Sequence, residues 1–206
     1  MRSISVLSCL VALTATSGMS FADGAPEARA LASFHNIQVG GGIDLTATAG
    51  EASSVSVTAD TPARVITEVK DDTLVVYIQG QGDAGKAQVS VTLPQLDLVT
   101  AGGASQVNVS GFTNKVLSIH ANGKTNVTAS GKAETLQLLV SGEATVKARE
   151  LHAEKTTLQV SGSGALEVCA EKQLAVIING AAQVGYDCHP GQVRQNIRGG
   201  GAIHAL

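Results

Sequence analysis

The chain has 206 residues with 17 acidic and 14 basic side chains, no Trp, 2% aromatics and 44% hydrophobic residues. It has no run or stripe of Lys and Arg to neutralise phosphates, which excludes nucleic acid as a partner. The scarcity of aromatics argues against a compact sandwich or barrel filled by Phe, Tyr and Trp, and favours a narrow interior of stacked Val, Leu, Ile and Ala.

Residues 1–22 read as a signal peptide. Arg2 gives a positive start, an apolar run from Ile4 through Leu13 follows, and Ser20-Phe21-Ala22 ends it with small residues where a signal peptidase reads. Cleavage before Cys9, as in a lipoprotein, would leave almost no apolar region ahead of it. The run is too short for a membrane span, so no transmembrane segment is expected in the mature chain. Export follows, to the periplasm or the cell surface and extracellular space. Removal takes one basic and no acidic side chain, so the mature charge is 13 − 17 = −4.

Residues 23–33 read as an N-terminal linker, beginning with the turn-forming Asp23-Gly24-Ala25-Pro26-Glu27, and 34–206 as a single domain. Within it, 34–96 is strand-rich but irregular. Ile37-Gln38-Val39, Ile43-Asp44-Leu45, Val55-Ser56-Val57, Leu74-Val75-Val76-Tyr77-Ile78 and Val89-Ser90-Val91 are short β-prone runs. Turns at Gly50-Glu51-Ala52, Lys70-Asp71-Asp72 and Gly80-Gln81-Gly82-Asp83 separate them. Such a stretch suits a terminal cap over an otherwise open stack.

From 97 to 206 a pattern of glycine, small residue and aliphatic residue recurs. It starts at Gly103, Gly123, Gly142, Gly162, Gly180 and Gly199, with spacings of 20, 19, 20, 18 and 19 residues. Two residues after each glycine stand Ser105, Thr125, Ala144, Gly164, Ala182 and Gly201, all small. Four after stand Val107, Val127, Val146, Leu166, Val184 and Ile203, with a mostly polar column between. Apolar and polar residues therefore alternate with period two, and the same alternation runs backwards from each glycine, as in Leu117, Ile119 and Ala121. No segment shows the 3.6-residue period of a helical repeat. The expected fold is all-β: a right-handed parallel β-helix, or β-solenoid, with about 19-residue rungs and a less regular N-terminal β cap. The six glycines would be structural corners, needed for positive φ or for close approach of neighbouring rungs.

Signal removal leaves two cysteines, Cys169 and Cys188, 19 residues apart. One coil period would set them on adjacent rungs, at the roughly 4.8 Å strand spacing that a disulfide tolerates, and an exported pair is expected to oxidise. Cys169 lies seven residues past Gly162 but Cys188 eight past Gly180, a one-residue mismatch that a corner must absorb. The final rung, Gly199-Gly200-Gly201-Ala202-Ile203-His204-Ala205-Leu206, is apolar and uncapped, which suggests weak homodimerisation through it.

The chain resembles the GIN-domain family of auto-transporter adhesin heads from about Phe34 to the C-terminus. Phe34-His35-Asn36-Ile37-Gln38-Val39, Gly42-Ile43-Asp44-Leu45, Val55-Ser56-Val57-Thr58-Ala59-Asp60 and Val89-Ser90-Val91-Thr92-Leu93-Pro94 look like its first half. Ala101-Gly102-Gly103-Ala104-Ser105 and Val140-Ser141-Gly142-Glu143-Ala144 are similar to its repeated corners. The resemblance implies a bacterial envelope or secreted protein with a β-helix fold and no established activity. Where Cys188 stands the family tends to carry glycine, which makes a bridge a feature of this chain.

Polysaccharide lyases and hydrolases need clustered carboxylates, generally with aromatics to stack sugars. Here the outward columns hold Gln, Asn, Thr, Ala and Lys, while Asp60, Asp71, Asp72 and Asp97 fall in the cap or its turns. The histidines, at 35, 120, 152, 189 and 204, are never closely spaced and no Cys-x-x-Cys accompanies them, so no metal, cofactor or catalytic residue is assigned. The reading is an exported, non-catalytic, adhesin-like scaffold whose partner is an unidentified envelope glycan or protein. A polysaccharide-active enzyme and a self-assembling structural envelope protein are the alternatives.

Overall fold

Period-two alternation commits nearly every segment to extended backbone with one face inward, and the computed structural model of residues 26–80 and 86–206 follows it. The proposed signal peptide at 1–22, the start of the linker and most of the turn at 80–83 lie outside the described residues. The strands, in chain order, are β1 (Glu27–Arg29), β2 (Asn36–Val39), β3 (Ile43–Ala49), β4 (Ser54–Ala59), β5 (Val65–Lys70), β6 (Thr73–Ile78), β7 (Ala87–Leu93) and β8 (Leu98–Gly103). They continue with β9 (Gln106–Gly123), β10 (Asn126–Gly180), β11 (Gln183–Asp187), β12 (Gln192–Arg198) and β13 (Ala202–Ala205). One 3-10 turn, Pro62–Arg64, is the only helical element among the described residues.

All thirteen strands belong to one sheet that curls around one continuous core. Its pairing is mixed, and this overturns the expected right-handed parallel β-helix with a less regular N-terminal cap. β4 lies between β1 and β7 and is antiparallel to both, and β5 is antiparallel to β6. The reason is local. Lys70 pairs with Thr73 across Asp71 and Asp72, whose φ values of 47° and 61° form a two-residue turn of the primed kind. Such a turn can only join antiparallel neighbours, because a parallel connection needs a crossover of a dozen or more residues. Val65–Lys70, which is not among the β-prone runs named from the sequence, supplies the partner strand.

Beyond the first third, pairing is parallel and follows the glycine period. β8 joins β9 with Gly103 opposite Gly123, and β9 joins β10 with Gly123 opposite Gly142. The change from a 20-residue to a 19-residue offset falls between Ala129 and Gly131, where the register shifts by one. Inward columns align in this register: Val99 with Ile119, Ile119 with Leu138, Leu45 with Val107, Val107 with Val127. All are buried, and each such side chain contributes roughly 1.5–3 kcal/mol relative to exposure.

The six glycines read from sequence all have positive φ, from 76° at Gly103 to 140° at Gly180. Lys124 N donates to Gly103 O at 2.9 Å and Ala181 N to Gly162 O at 3.0 Å, so each of these corner carbonyls lies tight against the next corner. A Cβ on Gly180 would overlap Gly162 O, and one on Gly123 would sit 3.0 Å from Gly103 O. Substitution at Gly180 thus combines a disfavoured φ with a backbone collision. We expect Gly180→Ala to destabilise the protein by about 2 kcal/mol or more in denaturant unfolding. Gly200→Ala, where a Cβ meets open space, should stay within about 0.5 kcal/mol of the parent. Equal effects from the two would remove the close-approach explanation.

Candidate functional site

Two adjoining grooves run along the outer face of the parallel strands. The first, about 870 Å³, is lined by residues including Asp97, Lys115, Val116, His120 and Gln137. The second, about 610 Å³, has Lys132, Glu134, His152, Glu154 and Glu171 among its walls. Thr113, Asn114 and Lys115 are common to both. Asn114 is buried, and its Nδ2 donates to Leu96 O, which pins this shared wall to the segment before β8. The grooves therefore sit on fixed strand backbone and present charged and amide groups. Their charges are partly engaged: Lys172 Nζ lies 2.8 Å from Glu154 Oε2, and His152 Nδ1 lies 3.3 Å from Glu171 Oε1.

Beside the second groove a disulfide joins Cys169 and Cys188, with Cα atoms 5.2 Å apart. Cys169 pairs across the sheet with Asp187, so Cys188 stands one residue beyond its partner position. The mismatch is absorbed by left-handed backbone, φ 69° at Cys188 and 49° at His189, which turns the sulfur of Cys188 back over the strand end. His152 Nδ1 lies 3.5 Å from Cys169 Sγ and 4.0 Å from Cys188 Sγ. Among the described residues, these three form the one group of possible metal ligands with all donor atoms within 4.8 Å. Their grouping is not visible in local motifs. His152 precedes Glu171 by 19 residues and Cys188 by 36, so one and two periods separate residues that touch.

Asp187 holds the turn. Arg149, two periods earlier, donates to its Oδ2 at 2.8 Å, and the Cys188 N–H donates to its Oδ1 at 2.7 Å. The Arg149 hydrogen bond, reinforced by the Cys188 N–H, holds the Asp187 carboxyl below the ordinary carboxylate range, and the same ion pair raises Arg149. A lowered folded pKa means this contribution is complete above the ordinary unfolded Asp value of ~3.9. It is lost as pH falls through the folded value. Amide-exchange protection at Cys188 should therefore be flat from neutral pH down to about pH 4 and then fall. Asp187→Asn should lower protection severalfold at neutral pH and remove the acid step. Protection unchanged by this substitution would show that Asp187 does not hold the turn.

No curated protein matches the chain. Among solved structures, a Bacteroides fragilis protein described as a putative adhesin superposes with a TM-score of 0.68 at 20% identity, covering 88% of this chain and 96% of that one. A Parabacteroides distasonis protein described as a putative lipid binding protein gives 0.50 at 19% identity, with coverage of 89% and 98%. A Parabacteroides merdae protein described as a putative adhesin gives 0.50 at 17% identity, covering 88% and 95%. At these identities the likeness concerns the fold. Residues 33–190 match the family described as "Putative auto-transporter adhesin, head GIN domain", and the chain belongs to that family.

Proposed function

We propose that this is an exported, non-catalytic, adhesin-like protein that holds an envelope glycan or protein in the two adjoining grooves. The observation that carries the reading is the shared wall of Thr113, Asn114 and Lys115, fixed by the buried Asn114 and flanked by charged and amide groups. Rigid backbone lowers the ordering cost of binding, and a row of donors and acceptors suits hydroxyls or peptide groups better than an alkyl chain. Export, to the periplasm or the cell surface, is supported by the family and by the disulfide, which persists in oxidising compartments. No helix among the described residues is long and apolar enough to cross a membrane.

Glu134, Glu154 and Glu171 along the second groove favour the enzymatic alternative enough to require a test, since glycoside cleavage uses paired carboxylates. Incubation with a panel of envelope glycans separates the two. Retention of intact glycan, weakened about tenfold by Lys115→Ala with Gln137→Ala at unchanged unfolding midpoint, supports binding. Release of new reducing ends would establish an enzyme instead.

A second copy of the chain is a further partner in this reading. β12 pairs only with β10, and β13 only with β11, so each keeps one unpaired edge among the described residues. Val193 and Leu206 are exposed there, at 40% and 46%. Unpaired edges with apolar flanks are templates for strand addition. Light scattering should show mass rising with concentration, and removal of 199–206 should abolish the rise. A constant monomer mass at high concentration would exclude this dimer.

A further inference from the structure

We propose that His152, Cys169 and Cys188 form a redox-gated site for a zinc-like cation, closed while the disulfide exists and able to bind metal once it is reduced. The site does not depend on ligand binding in the grooves, although His152 and Glu171 also line the second one.

A tetrahedral zinc with bonds of about 2.3 Å to sulfur and about 2.0–2.1 Å to nitrogen sets ligand nitrogen and sulfur about 3.5 Å apart. His152 Nδ1 already stands 3.5 Å from one sulfur and 4.0 Å from the other. The two sulfurs have to part, to about 3.8 Å, the edge of the same tetrahedron, and Cys188 Sγ has to approach the His152 nitrogen slightly. Their Cα atoms, 5.2 Å apart on neighbouring segments, need not move for the freed side chains to rotate that far. Glu171 Oε1 is 3.3 Å from the same nitrogen, and its exposed side chain can turn to supply a fourth ligand. Two thiolates, an imidazole and a carboxylate make a donor set that suits zinc and discriminates against calcium and magnesium, which favour all-oxygen sites.

The steps balance. A dithiol reductant gives two electrons and two protons to the disulfide, becoming a disulfide itself and leaving two thiols here. Binding of the cation then displaces both thiol protons to solvent, leaving two thiolates and a neutral imidazole on the metal. Access is available, because Cys188 is half-buried and His152 exposed, whereas Cys169 is buried beneath them.

Cobalt(II) is the probe, added to the mature protein after anaerobic phosphine reduction and removal of the phosphine, with zinc as competitor. One equivalent should bind with a thiolate-to-cobalt charge-transfer band, displaced by zinc, and the oxidised protein should show none. His152→Ala should keep both titratable thiols and weaken binding by about tenfold or more. Absence of the band after reduction, or equal affinity in the His152→Ala protein, would overturn the proposal. Far-UV circular dichroism guards against binding by unfolded chain. If reduction loosens the strand end, metal must restore the signal, and binding without restoration would also overturn the proposal.

Discussion

At corners of the parallel region a glycine carbonyl reaches an N–H of the segment laid over it, as Gly103 O does with Lys124 N, Gly162 O with Ala181 N and Gly180 O with Gly201 N. That hydrogen bond brings the next glycine so close that a Cβ would strike the carbonyl, while the bend itself needs positive φ. Two demands meet at one atom, and only glycine meets both. Once the corners stack, the residues beside them are drawn into a common register. Val99, Ile119 and Leu138 fall in line, and a single apolar core forms from side chains of modest size.

The same stacking determines where chemistry can gather. Residues one or two periods apart in sequence become lateral neighbours, as His152 with Glu171, Cys169 with Cys188 and Arg149 with Asp187. The disulfide corner is thus assembled from three successive segments, none of which carries a recognisable motif. It also depends on a local exception to the period. Cys188 is one residue out of register with Cys169, and left-handed backbone at Cys188 and His189 returns its sulfur to reach. Asp187 supports that exception by accepting from both Arg149 and the Cys188 N–H.

The first third obeys a different constraint. The Asp71-Asp72 turn closes a hairpin, and β4 inserts antiparallel between β1 and β7, so the sheet becomes mixed. The Asp72 carbonyl also accepts from the backbone N–H groups of His35 and Asn36, and its carboxylate lies 3.0 Å from His35 Nδ1. Asp71 and Asp72, which the sequence places in a turn between β-prone runs, form that turn. The carboxylates lining the two grooves are Asp97, Glu134, Glu154 and Glu171, and the sequence assigned none of them a role.

The sequence by itself determined that the chain is all-β, which residues face inward, and that Cys169 and Cys188 are joined. These follow from short-range rules: period-two alternation, a glycine spacing, and an even pair of cysteines one spacing apart. It also carried the family, through strand and corner segments such as Val55-Ser56-Val57-Thr58-Ala59-Asp60 and Val140-Ser141-Gly142-Glu143-Ala144. Only the tertiary structure decided strand direction in the first third, because an Asp-Asp pair does not declare its φ until the strands on either side are seen to pair. Only it placed His152 against the sulfurs and joined the two grooves at Asn114. Outward side chains meet through lateral stacking at the offsets of 18, 19 or 20 residues that the glycine spacing shows, and where within a rung the offset changes is decided by bends such as that at Gly131.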